Sequence, residues 1–118
     1  NMLADFSSKL NFEPKQVKFI DKTYTLKTDH KTGLLIQALF KDKTDEDIDD
    51  KLLALALGNA QYKELMAELE AQGEAEGNAM NYMENKNAIV FGVMATMFNK
   101  PYEEFEKAAE EAGIAPKN

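Results

Sequence analysis

The sequence contains no cysteine, no tryptophan and no arginine, so that all 14 of its permanently basic side chains are lysine. Without cysteine the chain has no disulfide, no thiolate metal ligand and no cysteine nucleophile. Arginine is the preferred residue for bidentate contacts with phosphate and guanine. Its absence and the formal net charge of -7 argue against nucleic-acid binding and against attachment to an anionic membrane surface.

Long hydrophobic runs are also absent. The longest, residues 88–98, is much shorter than the roughly 20 apolar residues that a membrane-spanning helix needs. We therefore expect a buried helix there and no membrane segment. The sequence does not open with a basic-then-apolar export signal, and the lack of cysteine suits a reducing compartment, so we expect a cytoplasmic protein.

What the sequence does have is the composition of one globular domain: 118 residues, 44% hydrophobic and 30% charged. Its hydrophobic periodicity predicts a mainly α fold of the α+β type, in which an N-terminal β-hairpin packs on a bundle of about four to five helices. We divide the chain into a short N-terminal segment, residues 1–15, and a single helical domain, residues 16–118, that begins with the hairpin.

The hairpin is predicted from a hydrophobic period of two. Val17 and Phe19 lie on one side of a first strand, and Tyr24 and Leu26 lie on one side of a second. Asp21-Lys22 is the predicted turn, although it lacks the glycine that a type I′ turn prefers, which leaves the register open by one residue. A hairpin alone is marginally stable in water, so this one must pack against helices.

Helical spacing recurs on both sides of the hairpin. Leu3, Phe6 and Leu10 predict a short amphipathic turn over residues 3–10 that packs onto the rest of the protein. After the hairpin, Thr28 or Asp29 caps a helix over residues 33–40. A second helix is predicted to be capped by Thr44 and to end at Gly58, with Ile48, Leu52, Leu55 and Ala56 facing inward. A third helix is capped by Asn59. Residues 79–98 form either one helix or two helices broken at residues 85–87, and a last helix starts at Pro101.

Residues that would support catalysis or metal binding do not form a recognisable pattern. His30 has no local partners that could complete a metal site. An acidic run, residues 42–50, invites a calcium hypothesis but has Asp47 where the loop needs glycine and Leu53 where it needs glutamate. We therefore predict no catalytic residue, no metal and no cofactor, and a protein that is not an enzyme.

One cluster of side chains does suggest a binding site. Methionine is flexible and polarisable, so a methionine-rich surface can adapt to different apolar helices of a partner protein. The cluster has two interpretations, as filling of the protein's own core or as a groove that accepts a hydrophobic helix. The candidate partner-binding residues are Met80, Tyr82, Met83, Met94, Met97 and Phe98.

Two stretches of the sequence resemble a known family. Residues 17–29, with the sequence VKFIDKTYTLKTD, run into the helix over residues 34–40 and then into an acidic helix that ends in Leu52-Leu53-Ala54-Leu55. This order is similar to the opening of the small tail assembly chaperones of long-tailed bacteriophages and prophages. Residues 97–105 resemble the closing helices of that family more loosely.

The resemblance implies a non-enzymatic protein of the infected or lysogenic bacterial cytoplasm. Members of the family coat the apolar, helical tape measure protein and keep it soluble while the tail tube assembles around it. The partner is then the tape measure protein or another tail protein, and a homo-oligomer is possible. The alternative that we keep is a structural or self-associating phage or bacterial adaptor protein of helical type.

Overall fold

The computed structural model describes residues 2–41 and 46–113. In this part of the chain a two-stranded antiparallel hairpin is followed by five α-helices, which confirms the predicted fold class. Two short 3₁₀ turns, Ser7–Lys9 and Ala79–Asn81, accompany them. The elements are β1 (Gln16–Phe19), β2 (Lys22–Thr25), α1 (His30–Lys41), α2 (Ile48–Leu57), α3 (Asn59–Ala75), α4 (Tyr82–Phe98) and α5 (Tyr102–Glu111).

The hairpin turns one residue earlier than the sequence predicts. Val17 pairs with Tyr24 and Phe19 pairs with Lys22, which leaves Ile20 and Asp21 as the two-residue loop. Ile20 has a φ of 59°, a left-handed conformation that is unfavourable for a β-branched residue. The local turn preference is therefore overridden by the pairing that buries Val17 and Tyr24.

The core lies between the hairpin and the helices, with α2 at its centre. Because α2 packs against α1, α3 and α4, its buried face is wider than predicted: Leu53 and Leu57 are buried, whereas Ile48 and Leu55 are only half-buried. The hairpin closes on α4 at Gly92. A Cβ atom at that position would lie 3.0 Å from Cζ of Phe19, so the glycine permits this close approach.

The helix boundaries decide between the alternatives that the sequence predicts for the cap of α1 and for the continuity of α4. Asp29, not Thr28, caps α1, and α4 is a single helix that runs through residues 85–87. Gly58, with a φ of 81°, ends α2 and directly precedes α3, so Asn59 is the first residue of α3 and not its cap. The predicted capping residue Thr44 lies outside the described residues.

The prediction that residues 3–10 form a helical turn packed on the protein is wrong. We call residues 2–14 the arm. Only Ser7–Lys9 forms a turn, and every residue of the arm is exposed. All hydrogen bonds that the arm makes to described residues lie within the arm itself. With the arm extended, the molecule measures 67 Å along its longest axis and 31 and 26 Å along the others.

Candidate functional site

An open groove of about 430 Å³ runs between α1 and the end of α4. Its apolar side chains are Ile36 from α1 and Met97 and Phe98 from α4, and its rim is polar. We call it the α1–α4 groove. The complete lining is Asn11, Glu13, Lys15, Lys27, Thr28, Asp29, Gly33, Ile36, Gln37, Met97 and Phe98.

Asp29 fixes the α1 wall of this groove. Its carboxylate accepts hydrogen bonds from the backbone N–H of Thr32 at 3.2 Å and from the Thr32 hydroxyl at 2.6 Å. These bonds satisfy a free N–H of the first helical turn and hold the pKa of Asp29 below its ordinary value. The bonds between Asp29 and Thr32 thus define where α1 starts. They thereby also define where Gly33 and Ile36 lie.

Lys15 fixes the opposite wall. Its ammonium group donates a 2.7 Å hydrogen bond to the carbonyl oxygen of Met97, in the last turn of α4. The carbonyls of a last turn have no partners within the helix, and a lysine there also complements the negative end of the helix dipole. Asn99, in the left-handed conformation, then ends the helix. The root of the arm is therefore joined to the end of α4.

The groove continues onto apolar surface at both sides. On α1, Phe40 follows Ile36 and Gln37 at helical spacing and is exposed. At the end of α4, Phe98 is 43% exposed, although its ring packs against that of Phe105 in α5 at a centroid distance of 6.4 Å. Leu34 and Leu35 add further exposed apolar side chains to α1. A helix or an extended segment that lies in the groove would cover Met97 and Phe98, whereas Leu35 lines a separate depression beside Leu55 of α2.

The six residues that the sequence singles out do not form one cluster. Met80, Tyr82 and Met83 lie at the start of α4, and Met94, Met97 and Phe98 lie at its end. At a rise of about 1.5 Å per residue, the two groups are about 20 Å apart along the helix. Only the second group reaches the α1–α4 groove, through Met97 and Phe98.

Burial divides these six residues in a second way. Met80 and Met83 are 98% and 63% exposed, whereas Tyr82, Met94 and Met97 are half-buried and pack against the core. The Tyr82 hydroxyl lies 3.6 Å from the sulfur of Met66 in α3. The core interpretation therefore applies to Tyr82, Met94 and Met97, whereas the acceptance of a partner helix by the exposed members stays a prediction.

Four strongly exposed apolar side chains were not among the predicted site residues. They belong to the arm: Leu3, Phe6, Leu10 and Phe12 are each more than 60% exposed. Their helical spacing was visible in the sequence, but spacing alone does not reveal whether an apolar face is covered by its own chain or by another.

Two parts of the described chain carry net charges of opposite sign, and we call them the basic half and the acidic half. The hairpin and α1, residues 15–41, carry six lysines and two acids, a net charge of +4. Residues 46–113, which include the other four helices, carry five lysines and fifteen acids, a net charge of -10. Lys15 and Lys27 of the basic half lie on the rim of the groove. The groove thus combines apolar side chains with a rim of mixed charge, in which Glu13 and Asp29 accompany the two lysines.

A polar cluster in the bundle has a structural explanation. Asp50 of α2 accepts 2.7 Å hydrogen bonds from the Tyr62 hydroxyl of α3 and from Lys86 of α4. Partial burial raises the pKa of Asp50, but these two bonds lower it by more, so its pKa lies below the ordinary value. The bond to Asp50 raises the pKa of Tyr62 to about 12. The cluster links α2, α3 and α4. Lys86 contributes to it from within α4, which is continuous at this residue.

Metal binding and membrane crossing each require a particular arrangement of side chains or helices. Within residues 2–41 and 46–113, no group of three or more histidine or acidic side chains could hold a metal ion, and His30 is exposed. In the same ranges no helix combines the length and the apolar character that crossing a membrane requires. Comparisons of the chain with protein-family models, with curated proteins and with solved structures gave no match.

Proposed function

We propose that this chain is a non-enzymatic protein-binding module that acts as a tail assembly chaperone of a long-tailed bacteriophage or prophage. In this role it holds apolar helical segments of the tape measure protein in the cytoplasm of the bacterial host. The observation that carries the proposal is the α1–α4 groove, in which Met97 and Phe98 of α4 face Gly33, Ile36 and Gln37 of α1. The sequence resemblance supplies the identity of the partner.

The chemistry of the groove supports a helical partner of variable sequence. Apolar helices bind proteins by placing side chains at three- and four-residue spacing into a hydrophobic groove. Methionine at the base of such a groove tolerates different side chains because it is unbranched and polarisable. The net charge of -7 keeps a protein with this much exposed apolar surface in solution.

Co-expression with a fragment of the tape measure protein tests the proposal. We expect the native chain to keep the fragment soluble. Gln37→Glu, which places a charge at the apolar wall, and Phe40→Ser should each reduce the soluble fraction of the fragment. Met83→Ser is the control, since Met83 is an apolar residue that is more exposed than Phe40, 63% against 38%, but lies at the other end of α4.

The same experiment can contradict the proposal. If the native chain does not change the solubility of the fragment, the chaperone role is refuted. If Met83→Ser reduces the soluble fraction and the two groove variants do not, the binding site lies elsewhere. Unfolding curves of each variant separate loss of binding from loss of folding.

The exposed arm favours one alternative, a self-associating structural or adaptor protein of helical type. Apolar side chains that no described part of their own chain covers are typical of segments that bind another chain. The two functions differ in the finished virion, because a structural protein stays in the particle and an assembly chaperone does not. Mass spectrometry of purified particles distinguishes them.

A further inference from the structure

The arm has the properties of a segment that folds on another surface. Leu3, Phe6 and Leu10 have the spacing of one helical face, yet only Ser7–Lys9 is turned and these apolar side chains are exposed. An isolated stretch of this length is too short to form a stable helix in water. It gains one when its apolar face is covered by a groove.

The root of the arm lies at a groove of suitable chemistry. Asn11 and Glu13 line the edge of the α1–α4 groove, and Lys15 is bonded to the end of α4. Beyond that edge residues 2–10 are exposed throughout, and Phe12 is 88% exposed. If a second copy approaches this edge, its arm comes next to the groove of the first copy. The arm of the first copy then comes next to the groove of the second.

Charge favours the same pairing. The arm carries Asp5 and Glu13 against Lys9, and so is slightly acidic. The groove lies in the basic half of the structure, and its lining carries Lys15 and Lys27 beside Asp29 and the arm's own Glu13. In a protein with a net charge of -7, this is the surface on which an acidic segment of a second copy meets the least repulsion.

We infer that the arm of a second copy occupies the α1–α4 groove, so that the protein self-associates by exchange of arms. In a symmetric pair Phe6 and Phe12 of each arm are covered. An aromatic side chain buries roughly 150–250 Å². Two such rings from each copy remove roughly 600–1,000 Å² of arm surface from water. With the groove surfaces that receive them, the interface lies at the lower end of the roughly 1,200–2,000 Å² of a specific interface.

Light scattering of the intact chain is the first test. We expect the native protein to contain two or more copies per particle, and Phe6→Ser/Leu10→Ser to be a monomer. Met80→Ser/Met83→Ser is the control that removes exposed apolar side chains away from the groove, and it should leave the association unchanged. A monomeric native protein, or an association that the arm variant does not alter, overturns the inference.

The absence of cysteine permits a second test that locates the contact. A Leu10→Cys chain and a mass-tagged Gln37→Cys chain are mixed and oxidised, so that any disulfide between them joins two copies. We expect this pair to cross-link roughly tenfold faster than Leu10→Cys with Met83→Cys, because a bound arm holds its thiol at high effective concentration. Equal rates, or an internal disulfide in a monomeric Leu10→Cys/Gln37→Cys double variant, contradict exchange between copies.

The inference uses the same groove as the proposed function but does not depend on the identity of the partner. A monomeric chain that still solubilises the tape measure fragment refutes arm exchange alone. An arm-linked assembly that has no effect on the fragment refutes the chaperone role alone.

Discussion

Tyr24 is a buried residue whose polar hydroxyl group lies in an unfavourable environment. Its side chain is 2% exposed, and its hydroxyl has no hydrogen-bond partner within the described part of the chain. Burial raises the pKa of this phenol. A buried hydroxyl without a partner is unfavourable by about 1–3 kcal/mol. The aromatic ring of Tyr24 fills the core, whereas its hydroxyl lowers the free energy of unfolding.

We therefore expect Tyr24→Phe to raise the free energy of unfolding by about 1 kcal/mol. Tyr62→Phe is the matched control, because it makes the same change where the hydroxyl donates to Asp50. We expect that variant to be destabilised by about 1 kcal/mol or more. Urea unfolding measures both values, and a loss of stability in both variants would show that the Tyr24 hydroxyl has a favourable contact.

The acid sensitivity of the fold should depend on Asp50. Its pKa is lower in the folded state than the value of about 3.9 in an unfolded chain, so its contribution to stability is present above that value and is lost as the pH falls through the folded pKa. Asp29 acts in the same direction through its bonds to Thr32. Asp49 acts in the opposite direction, because burial raises its pKa.

Asp50→Asn should lower Tm near neutral pH and make the decrease of Tm toward acid pH shallower than in the native protein. Thermal unfolding followed by circular dichroism between about pH 7 and pH 3 provides this comparison. An equally steep decrease in the variant would show that Asp50 does not determine the acid sensitivity.

At the scale of elements, the sequence predicts what depends on local pattern. The hairpin and the helices follow from hydrophobic periods, and Gly58 ends its helix as predicted. The position of the hairpin turn does not follow, because strand pairing forces Ile20 into an unfavourable conformation. Gln61 is a further example, since its side chain bonds to the backbone of Thr25 in β2 across 36 positions of sequence.

Two helical glycines should respond differently to the same substitution. Alanine is favoured over glycine within a helix by about 0.5–1 kcal/mol. At Gly33 of α1 an added Cβ meets nothing within 4 Å, so Gly33→Ala should gain this stabilisation. At Gly92 of α4 the added Cβ meets the Phe19 ring at 3.0 Å, so Gly92→Ala should be less stable than Gly33→Ala.

Chemical denaturation of the two alanine variants gives the difference directly. An equal gain at both positions would mean that the hairpin moves away from α4 without cost. The packing of Phe19 on Gly92 would then contribute nothing to the position of the hairpin.

The scale of the whole molecule is where the sequence predicted least. The helix over residues 79–98 is apolar on most of its faces, so its pattern does not show which methionines are covered. The structure divides them between the two ends of α4 and places Met97 and Phe98 at the α1–α4 groove. The unequal charge of the two halves follows from the sequence only once the elements are placed in space.

Binding at the α1–α4 groove is the central claim, and nuclear magnetic resonance of the isotope-labelled native chain tests it most directly. A soluble helical peptide from the tape measure protein is added, and changes in the backbone amide signals are mapped onto the fold. We expect the largest changes at residues 33–37 and at Met97 and Phe98. Unchanged signals, or changes confined to Met80 and Met83 at the opposite end of α4, would contradict it.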